Sequence, residues 1–161
     1  MKTLFVAIKT IIFGTIFVAI WVFVDLLIRN LDNYYGGYLP HWVYIPGIIL
    51  LIIGLPITVI TAFSFVIFGK GTPAPFDAPK EFVVAGPYKY VRNPMYVGGF
   101  FAFIGFAFVN FSVSMLIFPF IWYIVVHLLV VFYEEKELEK KFGQSFLDYK
   151  KKVNRWIPKL K

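Results

Sequence analysis

The sequence predicts an all-α, polytopic membrane helix bundle of about four transmembrane helices with a cytoplasmic C-terminal helical extension. Three observations carry this prediction. Hydrophobic residues make up 60% of the 161 and aromatic residues 21%, more apolar side chain than a soluble domain of this size can bury. Apolar runs recur at the length that crosses a bilayer, about 20 residues each. The basic residues gather in a few polar segments between and after those runs. A single domain, residues 1–161, accommodates the whole chain.

The first span runs from about Leu4 to Ile28, interrupted only by Lys9 and Asp25. It is too long, and lacks the small-residue site, to read as a cleaved signal peptide. Asp25 and Arg29 stand at i, i+4 and are expected to pair at the interface. The second span, about Trp42 to Phe68, carries Gly47 and Gly54 one heptad apart as a close-packing face, with Pro56 as a kink. His41, beside Pro40 and Trp42, marks its boundary. The third, about Pro94 to Phe111, begins on a proline, which suits a first helical turn because its missing N–H has no partner there anyway. Gly98, Ala102 and Gly105 form a small-residue stripe on it. Only Asn110, Phe111 and Ser112 separate it from the fourth span, about Val113 to Tyr133, so the two are expected to form a tight hairpin. Pro119 is a second candidate kink. Beyond Tyr133 the chain becomes charged, and Glu137 and Lys141 sit at i, i+4.

Charge orients the bundle, because lysine and arginine accumulate on the cytoplasmic side of short loops. Lys2 and Lys9 lie at the first end; Lys70, Lys80, Lys89 and Arg92 lie between the second and third spans; the remaining basic residues but one follow Tyr133. Arg29 is the exception. Both termini and the 69–93 loop are therefore assigned to the cytoplasm, with the cell inner membrane as the expected location. The net charge of +7 reads as topology and attraction to anionic lipid rather than nucleic-acid binding. With no cysteine and two histidines, disulfides, thiolate chemistry and a metal centre are not expected.

The chemistry concentrates in residues 86–99, Gly86-Pro87-Tyr88-Lys89-Tyr90-Val91-Arg92-Asn93-Pro94-Met95-Tyr96-Val97-Gly98-Gly99, a turn-rich polar island opening into an apolar helix. Polar groups at a membrane boundary are costly unless paired or solvated, so such an island marks a site. The predicted topology puts Arg92, Tyr96, Glu134, Glu135 and Arg155 on one membrane face, where they are expected to meet. The proline-rich stretch 71–79 is long for an unstructured connection and reads either as a spacer over the headgroups or as a lid. His127 precedes Glu134 by seven residues, which in a regular helix points both into the same cavity.

The run Gly-Pro-Tyr-x-x-x-Arg-Asn-Pro-x-Tyr-x-Gly, the later Glu134-Glu135, and a tail with Phe142-Gly143, Tyr149, Val153, Arg155 and Ile157-Pro158 together resemble the isoprenylcysteine carboxyl methyltransferase and phospholipid methyltransferase superfamily over about residues 70–161. That resemblance implies an integral membrane enzyme using S-adenosylmethionine, with the first motif (Tyr88, Arg92, Asn93, Pro94, Tyr96) and the paired glutamates in the cofactor site. Asn93 stands where the family has a histidine.

The residues suit those needs. Arg92 offers a forked donor for the cofactor's carboxylate, Glu134 or Glu135 an acceptor for its ammonium, and Tyr88, Tyr90, Tyr96 or Trp156 an aromatic face for adenine or a cation. Gly98 is a point where backbone and ligand can approach closely, or else part of the packing stripe. Arg155, Glu134 and His127 are the candidates for handling the acceptor: an arginine for a carboxylate acceptor, a base for an amine. The expected acceptor is a lipophilic small molecule or lipid. A nicotinamide-dependent membrane reductase of the sterol type and a non-enzymatic lipid-binding or transport bundle are the alternatives.

Overall fold

The computed structural model describes residues 2–69 and 82–159. The 71–79 stretch, read as spacer or lid, and the side chains of Asp25 and Arg29 lie outside what it describes. The described residues form six α-helices, α1 (Lys2–Tyr35), α2 (Tyr44–Ser64), α3 (Pro94–Val109), α4 (Val113–Leu129), α5 (Glu135–Phe142) and α6 (Gln144–Lys152). Among them β pairing is confined to two isolated bridges. Two helical stretches, His41–Gly69 and Val113–Phe142, are long and apolar enough to cross a membrane, and Pro94–Val109 is a shorter apolar helix.

The centre of the bundle is the antiparallel α2–α3 pair, and glycine makes it. A Cβ on Gly54 would stand 2.6 Å from the Ala102 nitrogen, and one on Gly98 would stand 2.8 Å from the Gly54 carbonyl. Seven residues along, a Cβ on Gly105 would stand 2.8 Å from the Gly47 carbonyl. Without a solvent to drive apolar helices together inside lipid, such close backbone approach supplies the dispersion that does so. Thr58, Thr61 and Ser64 return their hydroxyls to carbonyls one turn back in α2, so these three hydroxyl protons are met within the helix.

Several boundaries differ from the sequence reading. α1 continues past Ile28 to Tyr35 and stops at Gly36, whose φ of 67° and N–H to the Asp32 carbonyl at 2.8 Å make a left-handed cap. The helix of the fourth span continues beyond Tyr133: it runs through a π-helical turn (Val130–Glu134) directly into α5, because no breaker intervenes before Gly143 at φ 53°. The α3–α4 hairpin forms as expected, with Phe111 in the left-handed region at φ 55° and Ser112 capping α4 by accepting from Met115 N at 3.0 Å.

Asp32, which the sequence reading passed over, is buried at this hairpin. It accepts from the Ser112 hydroxyl and, at 3.0 Å, from Ser114 N, tying the end of α1 to the start of α4. At the opposite end of the bundle, α5 and α6 close over a small core of Phe146, Tyr149 and Val153 backed by Phe82, Leu138 and Phe142. The candidate site lies just above that core.

Candidate active site

A short 3-10 turn, Gly86–Lys89, delivers the chain to α3. Gly86 has φ 56°, and a Cβ there would stand 3.3 Å from Ser64 Oγ, so the conformation and the close approach both call for glycine. The turn buries Tyr88 against Phe65, with ring centroids 5.5 Å apart. Its carbonyl accepts from the Tyr149 hydroxyl at 2.6 Å, which fastens α6 beneath it. Burial pushes the phenols of Tyr88 and Tyr149 above the ordinary tyrosine range, so both are neutral protein walls at physiological pH.

The tail past α6 then folds back and lies parallel to residues 91–93. Val91 and Asn154 form a bridge, Arg92 N donates to the Asn154 carbonyl at 2.8 Å, and Asn93 N donates to the Arg155 carbonyl at 3.2 Å. This pairing fixes the orientation of Arg92 and of Arg155 together. Both reach Glu135. Arg155 holds it in a two-pronged contact, Nε to Oε1 at 2.7 Å and Nη2 to Oε2 at 3.1 Å; Arg92 Nη1 lies 3.1 Å from Oε1, and Lys150 Nζ lies 3.6 Å from Oε2. The forked geometry is what a guanidinium gives and an ammonium does not. Its bond to Glu135 raises the basicity of Arg155.

Arg92 is different. Its side chain is 10% exposed, and although Nη1 is within ion-pair distance of Glu135, Nε and Nη1 find no well-aligned hydrogen-bond acceptor among the described residues. Burial lowers the basicity of this guanidinium, and Glu135 opposes the shift. Buried donors with nothing to bind are rare, and each calls for a partner. Arg92 helps to line a cavity of about 110 Å³, whose polar lining also includes Asn93, Tyr88, Tyr96, Glu134, Glu135, Glu137 and Tyr149, and whose apolar lining includes Phe65, Met95, Val130, Tyr133 and Leu138. Within it the Tyr96 hydroxyl donates to Glu134 Oε1 at 2.5 Å.

Four residues singled out from the sequence stand apart from the cavity wall. Gly98 is taken up by α2, where a Cβ would lie 2.6 Å from Thr58 Oγ1; it is a packing residue. Pro94 is buried in the first turn of α3 and shapes the helix start. Arg155 spends its fork on Glu135 rather than on the cavity. His127 points elsewhere because the π-helical turn Val130–Glu134 inserts an extra residue per turn, rotating Glu134 by roughly 100° from where a regular helix would put it. His127 Nδ1 instead accepts from Trp156 Nε1 at 3.2 Å, in an aromatic cluster with Tyr123.

The sequence reading missed the apolar wall. Phe65 lies in the first π-helical turn, Phe65–Gly69, and Tyr133 in the second; both turns border the cavity, as such turns often border functional sites. Uninterrupted apolar sequence gave no sign of either.

A bundle of apolar helices with a cavity at one end, lined by polar and apolar residues together, is the arrangement of a membrane protein with a site at its boundary. The phospholipid methyltransferase family model matches residues 42–145, and the chain belongs to that family. The match reaches back over all of α2, further than the motifs alone extend, and ends ahead of the tail that carries Tyr149 and Arg155. No protein of curated function matches the chain.

Proposed function

We propose that this protein transfers a methyl group from S-adenosylmethionine to a lipophilic acceptor bearing an amine or a carboxylate, at the cytoplasmic end of a four-span bundle with both termini inside the cell, in the inner membrane. The observation that carries the reading is Arg92: a nearly buried guanidinium with two nitrogens that find no hydrogen-bond partner among the described residues, on the wall of a cavity shared with Glu134 and Tyr96. Membership of the phospholipid methyltransferase family supports the same chemistry.

The donor set fits the cofactor's charges. Arg92 suits a carboxylate, Glu134 a cationic group, and the faces of Tyr88 and Tyr96 a flat base or a cation. S-adenosylmethionine brings an already activated methyl group on a positively charged sulfur, so the protein's task is to position the partners and exclude water. The apolar wall of Phe65, Val130 and Tyr133 excludes water and suits the acceptor's hydrocarbon. Glu135 and Arg155 are positioning residues, holding Arg92 and the tail in register.

The test is label transfer. Membranes containing the protein, given S-adenosylmethionine with a tritiated methyl group, should acquire label extractable into organic solvent, and membranes with the Arg92→Ala variant should not. Label appearing equally in both would remove Arg92 from the site; none in either would contradict the proposed activity.

A further inference from the structure

Glu134 and Glu135 are adjacent, line the same cavity, and stand in opposite electrostatic surroundings. Glu135 is met by Arg155, Arg92 and Lys150. Among the described residues no cation lies within ion-pair distance of Glu134, and the hydroxyl of Tyr96 is its hydrogen-bond partner. That hydroxyl fixes the carboxylate's direction and brings no charge. A half-buried carboxylate beside hydrocarbon is costly unless a positive charge meets it. Arg92 supplies the independent sign that a ligand belongs here, since this nine-tenths buried residue lines the same space and two of its nitrogens find no hydrogen-bond partner among the described residues.

Arg92 and Glu134 join the cavity lining from different segments of the chain. Arg92 lies against Glu135 just ahead of α3. Tyr96, with Glu134, stands one helical turn further along the chain. S-adenosylmethionine carries its charges in the same order: carboxylate and ammonium share one carbon, and the sulfonium follows two methylene groups away. With the carboxylate on Arg92, the ammonium falls near Glu135 and the sulfonium towards Glu134. We infer that Glu134, oriented by Tyr96, is the counter-ion of the cofactor's sulfonium rather than of its ammonium. This rests on the methyltransferase reading and assigns the two glutamates separate roles.

Binding separates the possibilities without any turnover. Sinefungin carries an ammonium where the cofactor has its sulfonium methyl, whereas S-adenosylhomocysteine is neutral at sulfur and keeps the same amino-acid end. The Glu134→Gln variant of the full, detergent-solubilised chain, which retains an oxygen for Tyr96, should bind sinefungin about tenfold or more weakly while its affinity for S-adenosylhomocysteine changes less than about threefold. The Tyr96→Phe variant, which removes the orienting hydroxyl, should show the same selectivity in smaller degree and serves if the glutamine variant does not fold. Equal losses for both ligands would place Glu134 on the ammonium and overturn the inference, as would no loss for either. Failure of the unaltered protein to bind both ligands would instead sink the methyltransferase reading itself.

Discussion

Arg92 Nη1 and Glu135 Oε1 are 3.1 Å apart, yet among the described residues two of the guanidinium's nitrogens have no hydrogen-bond partner. Glu135 is already gripped by Arg155 through both oxygens, so it anchors Arg92 electrostatically without using up its donors. The result is a cation held in place on the wall of the cavity. Arg92→Lys should therefore recover only part of the binding lost in Arg92→Ala, since a point charge replaces one favourable contact and not the fork. Calorimetry with S-adenosylhomocysteine should show roughly a tenfold to hundredfold loss for alanine; full recovery by lysine would show that the fork is not used.

The α2–α3 seam offers a test of the fold independent of the site. Gly54→Ala puts a methyl 2.6 Å from backbone and should destabilise the bundle by about 1–3 kcal/mol, the usual cost of overpacking. Gly14→Ala in α1, where nothing lies within 4 Å of an added Cβ, is the matched control and should leave thermal unfolding in detergent unchanged or slightly raised. Equal melting temperatures for the two variants would contradict the glycine seam.

Arg155 was expected to hold an acceptor carboxylate, and its fork is instead closed on Glu135. Replacing it should loosen the tail that pairs with residues 91–93 and so weaken cofactor binding and turnover together. Arg155→Ala should also expose the 152–156 segment to proteolysis at low protease concentration. A loss confined to turnover, with cofactor affinity intact and the tail protected, would return Arg155 to the acceptor.

Reporters fused after Lys2, within 70–85 and after Lys161 should report the cytoplasm, and one after Asn33 the opposite side. The two bridges, Tyr38 with Ser112 and Val91 with Asn154, belong to opposite ends of the bundle. A cytoplasmic reporter after Asn33 together with one after Lys161 would contradict the assigned sidedness.

The helices were legible because apolar runs of span length have few other uses, and the seam was legible because Gly47, Gly54, Gly98 and Gly105 repeat at heptad spacing. The meeting of Arg92, Glu134 and Glu135 followed from charge and motif order. The rest depends on contacts that no local pattern records. The π-helical turn at Val130–Glu134 looks like any apolar helix in sequence, yet it decides that Glu134 faces the cavity while His127 faces Trp156. Arg155 was visible as a functional candidate, but its partner was not, because that depends on the tail lying along residues 91–93. Asp32 escaped notice because a single carboxylate near a helix end resembles a solvated one until the α3–α4 hairpin covers it.

The central claim is that the cavity beside Arg92 holds the methyl donor. Titrating the purified protein with S-adenosylhomocysteine and, separately, with NADPH measures it most directly. The account predicts saturable binding of S-adenosylhomocysteine that Arg92→Ala weakens by about tenfold or more, and no binding of NADPH. Saturable binding of NADPH with none of S-adenosylhomocysteine would contradict it.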